Sequence, residues 1–226
     1  MSRFIKDELD KLLEFLSAYN AAKYVNDEDV KSRLTSINKQ ALSLLAWKIE
    51  LKRKSVENTT YFEETISDIV QVIPLFVQGF YKAANCLLRS SCENFYKFFW
   101  EQYGDTPVDT FKSPDRLFEA TRGIDLVAQN SILLQSFGTL RQLYSELSLY
   151  VHSAGENYCD FEEALLAFPK KDIEYMQVIA KLFQNYVKTI NIIMCFCYKE
   201  VYFDMHHVNF QAITVNGKLK CTIFRH

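Results

Sequence analysis

Glycine and proline are scarce, with six and four residues in a chain of 226. So few turn formers exclude a fold of many short strands and favour long helices joined by few loops. Excess charge of one sign is absent too. Lysine and arginine (26) nearly balance aspartate and glutamate (28), leaving a formal charge of −2. That excludes a whole-surface electrostatic grip on nucleic acid and leaves room only for local basic patches. The six cysteines form no Cys-x-x-Cys pair, and no histidine stands at zinc-finger spacing from one. Neither a metal nor any other cofactor is expected. The opening stretch MSRFIKDELDK has no apolar signal core. The most apolar run, Ile190 to Tyr198, is far shorter than the ~20 residues that span a bilayer. No membrane partner is expected, and free thiols without an export signal point to the cytoplasm.

What the chain has is apolar and aromatic mass. Apolar residues make up 49%, with 18 Phe and 13 Tyr, enough for a sizeable core in one helical domain over 1–205. Phe4, Leu9, Leu12, Leu13 and Leu16 recur at helical spacing. A second helix is expected from Asn26 as cap, through Val30, Leu34, Ile37, Ala41, Leu44 and Leu45, to about Lys54. Its basic last turns, Lys48, Lys52, Arg53 and Lys54, suit the negative end of a helix and need no ligand. Thr60 and Glu63 read as a capping box that opens a helix interrupted near Pro74 and resumed to about Tyr103. A linker follows, then Ser113-Pro114 starts a short helix. A longer one spans about 127–153 and stops at Gly155. A short helix near 160–168 and a long one from Asp172 to Asp204 complete an all-α bundle of six or seven helices. The tail, 206–226, reads as a β-hairpin around Asn216-Gly217. A lone hairpin is marginal in water, so it must pack on the helices, on a second copy or on a partner's sheet edge.

Two of these helices carry polar stripes. Gln78, Lys82, Asn85, Arg89, Glu93, Tyr96 and Trp100 share one narrow face of an otherwise apolar helix. Arg141, Tyr144, Ser145, Ser148 and His152 share a face of a later one. If the two helices pack together, Arg89, Glu93 and His152 fall into one polar cluster. His152 is the only histidine in the first 205 residues, and it lies within a turn of a helix end, where exposed carbonyls attract positive charge. A histidine acting as general acid or base beside an arginine that steadies a phosphate could cleave RNA through its 2′-hydroxyl without a metal. Glu93 would orient one of them, and Tyr144, Ser148, Arg141 and Tyr96 would supply substrate contacts. The structural alternative is equally specific. Arg89 and Glu93, one turn apart, can simply pair, and the histidine can satisfy the last carbonyls of its helix.

The segments AANCLLRSSCEN, carrying Leu88, Arg89, Ser90 and Glu93, and YSELSLYVHSAG, carrying Tyr144, Leu147, Ser148, Val151 and His152, together resemble the HEPN superfamily of bacterial helical proteins. The resemblance covers about 60–200. It implies an all-helical bundle, frequently dimeric, in a toxin–antitoxin or anti-phage system and often acting as a metal-independent ribonuclease. It implies as partners a second copy or another protein of the defence system, with RNA as substrate. Catalytic members carry an arginine four to six residues before the histidine. Here the nearest, Arg141, is eleven residues before His152. Either Arg89 substitutes from the neighbouring helix, or the chain is a non-catalytic binding or assembly module that partners a separate effector.

Overall fold

The computed structural model describes residues 3–18, 27–156 and 169–214. Ten α-helices occur among them: α1 (Arg3–Ala18), α2 (Glu28–Arg53), α3 (Thr60–Gln78), α4 (Tyr81–Tyr103), α5 (Pro114–Gly123), α6 (Asp125–Ala128), α7 (Ser131–Val151), α8 (Ile173–Cys197), α9 (Lys199–Phe203) and α10 (His207–Thr214). A 3₁₀ turn, Val108–Thr110, precedes α5, and no strand occurs among the described residues. The all-α expectation holds, but the six or seven helices expected become ten among the described residues, because short helices such as α6 and α9 stand apart from the long ones. The helix near 160–168 falls outside the described residues.

Helix α4 is central. It packs along α3 and against α7 and α8, while α2 lies on α8. Its buried face carries Tyr81, Leu88, Phe95, Phe98 and Phe99, and Phe62 of α3 meets Phe98 with ring centres 5.0 Å apart. Side chains of this size contribute roughly 2–3 kcal/mol each on burial. A polar seam sets the register of α2 on α8. Trp47 donates its indole N–H to Asn191 at 3.0 Å, and the Asn191 amide donates to Ser43 at 2.8 Å.

The helix ends differ from expectation in instructive ways. Asp27, not Asn26, caps α2, accepting from the Asp29 and Val30 N–H groups at 3.1 and 3.3 Å. Its hydrogen bond with Lys171 holds the Asp27 carboxyl below its ordinary value. Thr59 precedes α3, and Glu63 reaches Lys48 at 2.7 Å instead of closing a capping box with Thr60. Pro74 sits inside α3 without ending it. The carbonyl it leaves unpaired belongs to Val70, which is 42% exposed, so water can serve it. The break falls at Gly79, at φ 83°. There a Cβ would come within 2.9 Å of the Lys170 backbone. The expected 172–204 helix breaks after Cys197 and restarts as α9. Phe4 is exposed and Ile5 takes the buried place on α1.

Three helices close with the same hydrogen-bonded end, in which the sixth N–H returns to the first carbonyl. The bonds are Val56 to Leu51, Phe80 to Leu75 and Ala154 to Leu149, at 3.0, 2.9 and 3.0 Å. The left-handed residue is glycine only at Gly79. In this glycine-poor chain Ser55 (φ 53°) and Ser153 (φ 48°) take the other two. Helix α7 therefore ends at Val151, with the left-handed Ser153 closing it just beyond the cap residue His152, and does not run on to Gly155.

The expected C-terminal hairpin is corrected over the residues that are described. Phe210–Thr214, read as its first strand, lie in α10; 215–226 lie outside the described residues. Ala212 and Ile213 are both buried, and neighbours sharing a buried side suit a helix rather than an alternating strand. The missing signal was long-range. Glu50 of α2, wholly buried, accepts from the His206 N–H at 3.1 Å and the Asn209 amide at 2.7 Å, which fastens the start of α10. The basic end of α2 is paired internally: Arg53 with Glu50 and Asp204, and Lys54 with Asp204.

Candidate functional site

Helices α4 and α7 run antiparallel, and a ladder of contacts fixes their register. The Tyr96 hydroxyl donates to the Phe137 carbonyl at 2.8 Å, and the Cys92 thiol lies 3.7 Å from the Leu140 carbonyl. One end further on, Arg89 meets Ser148, and Lys82 donates to Ser153 at 3.0 Å. The two polar stripes therefore face each other.

At their meeting point four side chains interlock. Arg89 and Glu93 are four residues apart on α4, and Tyr144 and Ser148 four apart on α7, so each pair presents one face. Arg89 donates from Nε to the Ser148 hydroxyl at 3.0 Å and from Nη2 to the Tyr144 hydroxyl. Its guanidinium carbon sits 4.7 Å from the centre of the Tyr144 ring. Nη2 also lies 3.3 Å from Glu93 Oε1. Tyr144 passes its own proton on, donating to Glu93 Oε1 at 2.9 Å, and Ser148 donates to the Tyr144 carbonyl at 2.8 Å. Burial, reinforced by Glu93, pushes the Tyr144 phenol up to about 12, so it stays a donor at neutral pH. The side chains of Arg89 and Glu93 are only 26% and 23% exposed. In such a setting charge-assisted hydrogen bonds are stronger than at an open surface.

The other expected site residues are placed apart from this group. His152 is exposed at the end of α7, and its backbone N–H bonds to the Ser148 carbonyl at 3.0 Å. Its side chain makes no hydrogen bond or ion pair with any described residue. Arg141 turns to α5, pairing with Glu119 and lying 3.8 Å from Asp115. Tyr96 is wholly buried, 4.2 Å ring to ring from Phe118 and 5.3 Å from Phe137. It is a core residue rather than a substrate contact. A helical wheel ranks faces, but it does not say that Phe118 of α5 covers this end of the stripe. Lys82 was on the stripe. Its partner Ser153 carried no sequence signal, because its role comes from a left-handed backbone.

A cavity of about 170 Å³ adjoins Glu93, lined also by Lys97, Phe111, Lys112, Ser113 and Leu117. Among the described residues, no three His, Cys, Asp or Glu side chains gather as metal ligands would. No described helix is long and apolar enough to cross a membrane. No family model matches the chain, and neither a curated protein nor a solved structure matches it at a significant level.

Proposed function

We propose that the chain is a HEPN-like helical module that acts by binding or assembly, as the partner of a separate effector in a bacterial anti-phage or toxin–antitoxin system, and not as a ribonuclease. One observation carries this reading. The Arg89 guanidinium is held through Nε and Nη2 by Ser148, Tyr144 and Glu93, so that edge serves as a tie between α4 and α7. An arginine that grips a scissile phosphate does so best with two parallel donors from one edge, and the Nε–Nη2 edge of Arg89 is already occupied. The side chain of His152, the expected acid or base, makes no hydrogen bond or ion pair with that group among the described residues. The two segments that carry the HEPN resemblance are also the two that interlock here, which supports their reading as one motif.

The test is RNA cleavage in EDTA, with total RNA and tRNA as substrates, for the wild type and His152→Ala. The expected result is no cleavage that depends on His152. Cleavage by the wild type and not by the variant would overturn the proposal. It would restore the ribonuclease reading, with His152 as general acid or base. The observation in favour of that second reading is the exposure of His152 one residue from Ser153 and its partner Lys82.

A further inference from the structure

Asn85 is the anomaly of the α4–α7 seam. It is wholly buried, yet neither its amide nitrogen nor its amide oxygen has a hydrogen-bond partner among the described residues. Its neighbours on the stripe are both engaged with α7. Lys82, three residues before, holds Ser153, and Arg89, four residues after, holds Ser148. Asn85 therefore lies between two contacts that bracket the last turn of α7. An amide taken from water without partners is a standing cost to the closed arrangement. An apolar residue would fill the position without that cost.

The turn above it carries a second cost. Its closing bond, from the Ala154 N–H to the Leu149 carbonyl at 3.0 Å, requires Ser153 at φ 48°. That conformation strains any residue with a Cβ. Against these two costs stand the Arg89–Ser148 hydrogen bond, the Tyr150 ring packed edge-on against Tyr175 of α8, and the exposed Lys82–Ser153 hydrogen bond, of which the last contributes little.

We propose that the last turn of α7, Ser148 to Ser153, is a latch that opens away from α4. Closed, it buries Asn85 unpaired. Open, it lets the Asn85 amide take up water, frees Lys82, and releases Nε of Arg89 from Ser148. Tyr144 and Glu93, one turn earlier and on α4 itself, keep the rest of the guanidinium in place. Opening thus lays an ammonium, an amide and a guanidinium N–H along one stripe of α4 and carries His152 off the helix end. The inference does not depend on whether the chain binds a partner or cleaves RNA.

Hydrogen exchange of the full chain, read amide by amide over 148–154 beside thermal unfolding, tests it. In Asn85→Leu the expected result is exchange slowed about tenfold at the end of α7, with a higher melting temperature, because the open state loses its hydrated amide. In Lys82→Ala exchange there speeds up about threefold, while α3 and the melting temperature stay as in the wild type. Exchange in Asn85→Leu equal to or faster than the wild type would overturn the latch, and so would unchanged exchange in Lys82→Ala. If Asn85→Leu does not fold, the Lys82→Ala result decides alone.

Discussion

Removing the Glu50 carboxylate is the sharpest stability test of the architecture. Glu50 is wholly buried on α2 and takes hydrogen bonds from the His206 N–H, the Asn209 amide and Arg53 Nε. Burial alone opposes its ionisation, but the bonds from Asn209, Arg53 and His206 outweigh it and hold the carboxyl below its ordinary value of 4.5. Bonds to a charged acceptor contribute ~1.5–3 kcal/mol each. The Arg53 share falls to the surface-pair range, below about 1 kcal/mol, because that side chain is 43% exposed. Glu50→Ala should therefore cost about 3 kcal/mol, or roughly 6–12 °C in Tm for a chain of this size. Glu50→Gln keeps the shape and should cost about half. The pH dependence has a definite sign. A depressed carboxyl pKa contributes stability above its unfolded value, lost as the pH falls through the folded one. The gap between the wild type and Glu50→Gln should thus be complete at neutral pH and should shrink on acidification below about 4.5. The assay is thermal unfolding followed by circular dichroism from pH 7 to pH 3. A loss of under about 2 °C in Glu50→Ala, or a gap that ignores pH, would refute the assignment of Glu50 as the anchor of α10.

Two further substitutions should stabilise the chain. Ser55→Gly relieves a left-handed serine at the end of α2 and should gain about 1 kcal/mol, seen as a rise of roughly 2–4 °C in Tm; no gain would mean that the hydroxyl holds the turn. Asp68 is buried between α3 and α4, and burial, helped by Glu64, raises its carboxyl above 3.8 despite hydrogen bonds with Ser90 and Asn94. A raised carboxyl pKa makes ionisation destabilising, so Asp68→Asn should be the more stable protein at pH 7, with the advantage vanishing below pH 3.8. Equal stabilities at pH 7 would show that Asp68 is fully compensated.

The sequence made the helices legible wherever one apolar face dominates. Val30, Leu34, Ile37 and Leu44 are all buried at the spacing that predicts α2. It also made the two stripes legible, because Arg89 with Glu93 and Tyr144 with Ser148 need only the 3.6-residue period. Residues whose state is set by distant partners stayed hidden. Tyr96 looks like a member of a polar face until Phe118 of α5 packs on it, and the burial of Asn85 has no local signal at all. Phe210–Thr214 alternate like a strand, and nothing local announces that Glu50, 160 residues earlier than Phe210, supplies the acceptor that starts a helix there. The breaks were missed for a different reason. Gly79 and Ser153 take left-handed conformations that hydrophobic periodicity does not register, and Pro74 looked like a break while its orphaned carbonyl could face solvent.

The central claim is that Arg89, Glu93, Tyr144 and Ser148 form one mutually dependent tie. A double-mutant cycle on Arg89→Leu and Tyr144→Phe, read by denaturant unfolding, tests it most directly. The account predicts a coupling above about 1 kcal/mol, since each variant removes the same shared bonds. Losses that add to within about 0.3 kcal/mol would contradict it, and would return Arg89 to the role of a free cation awaiting a substrate.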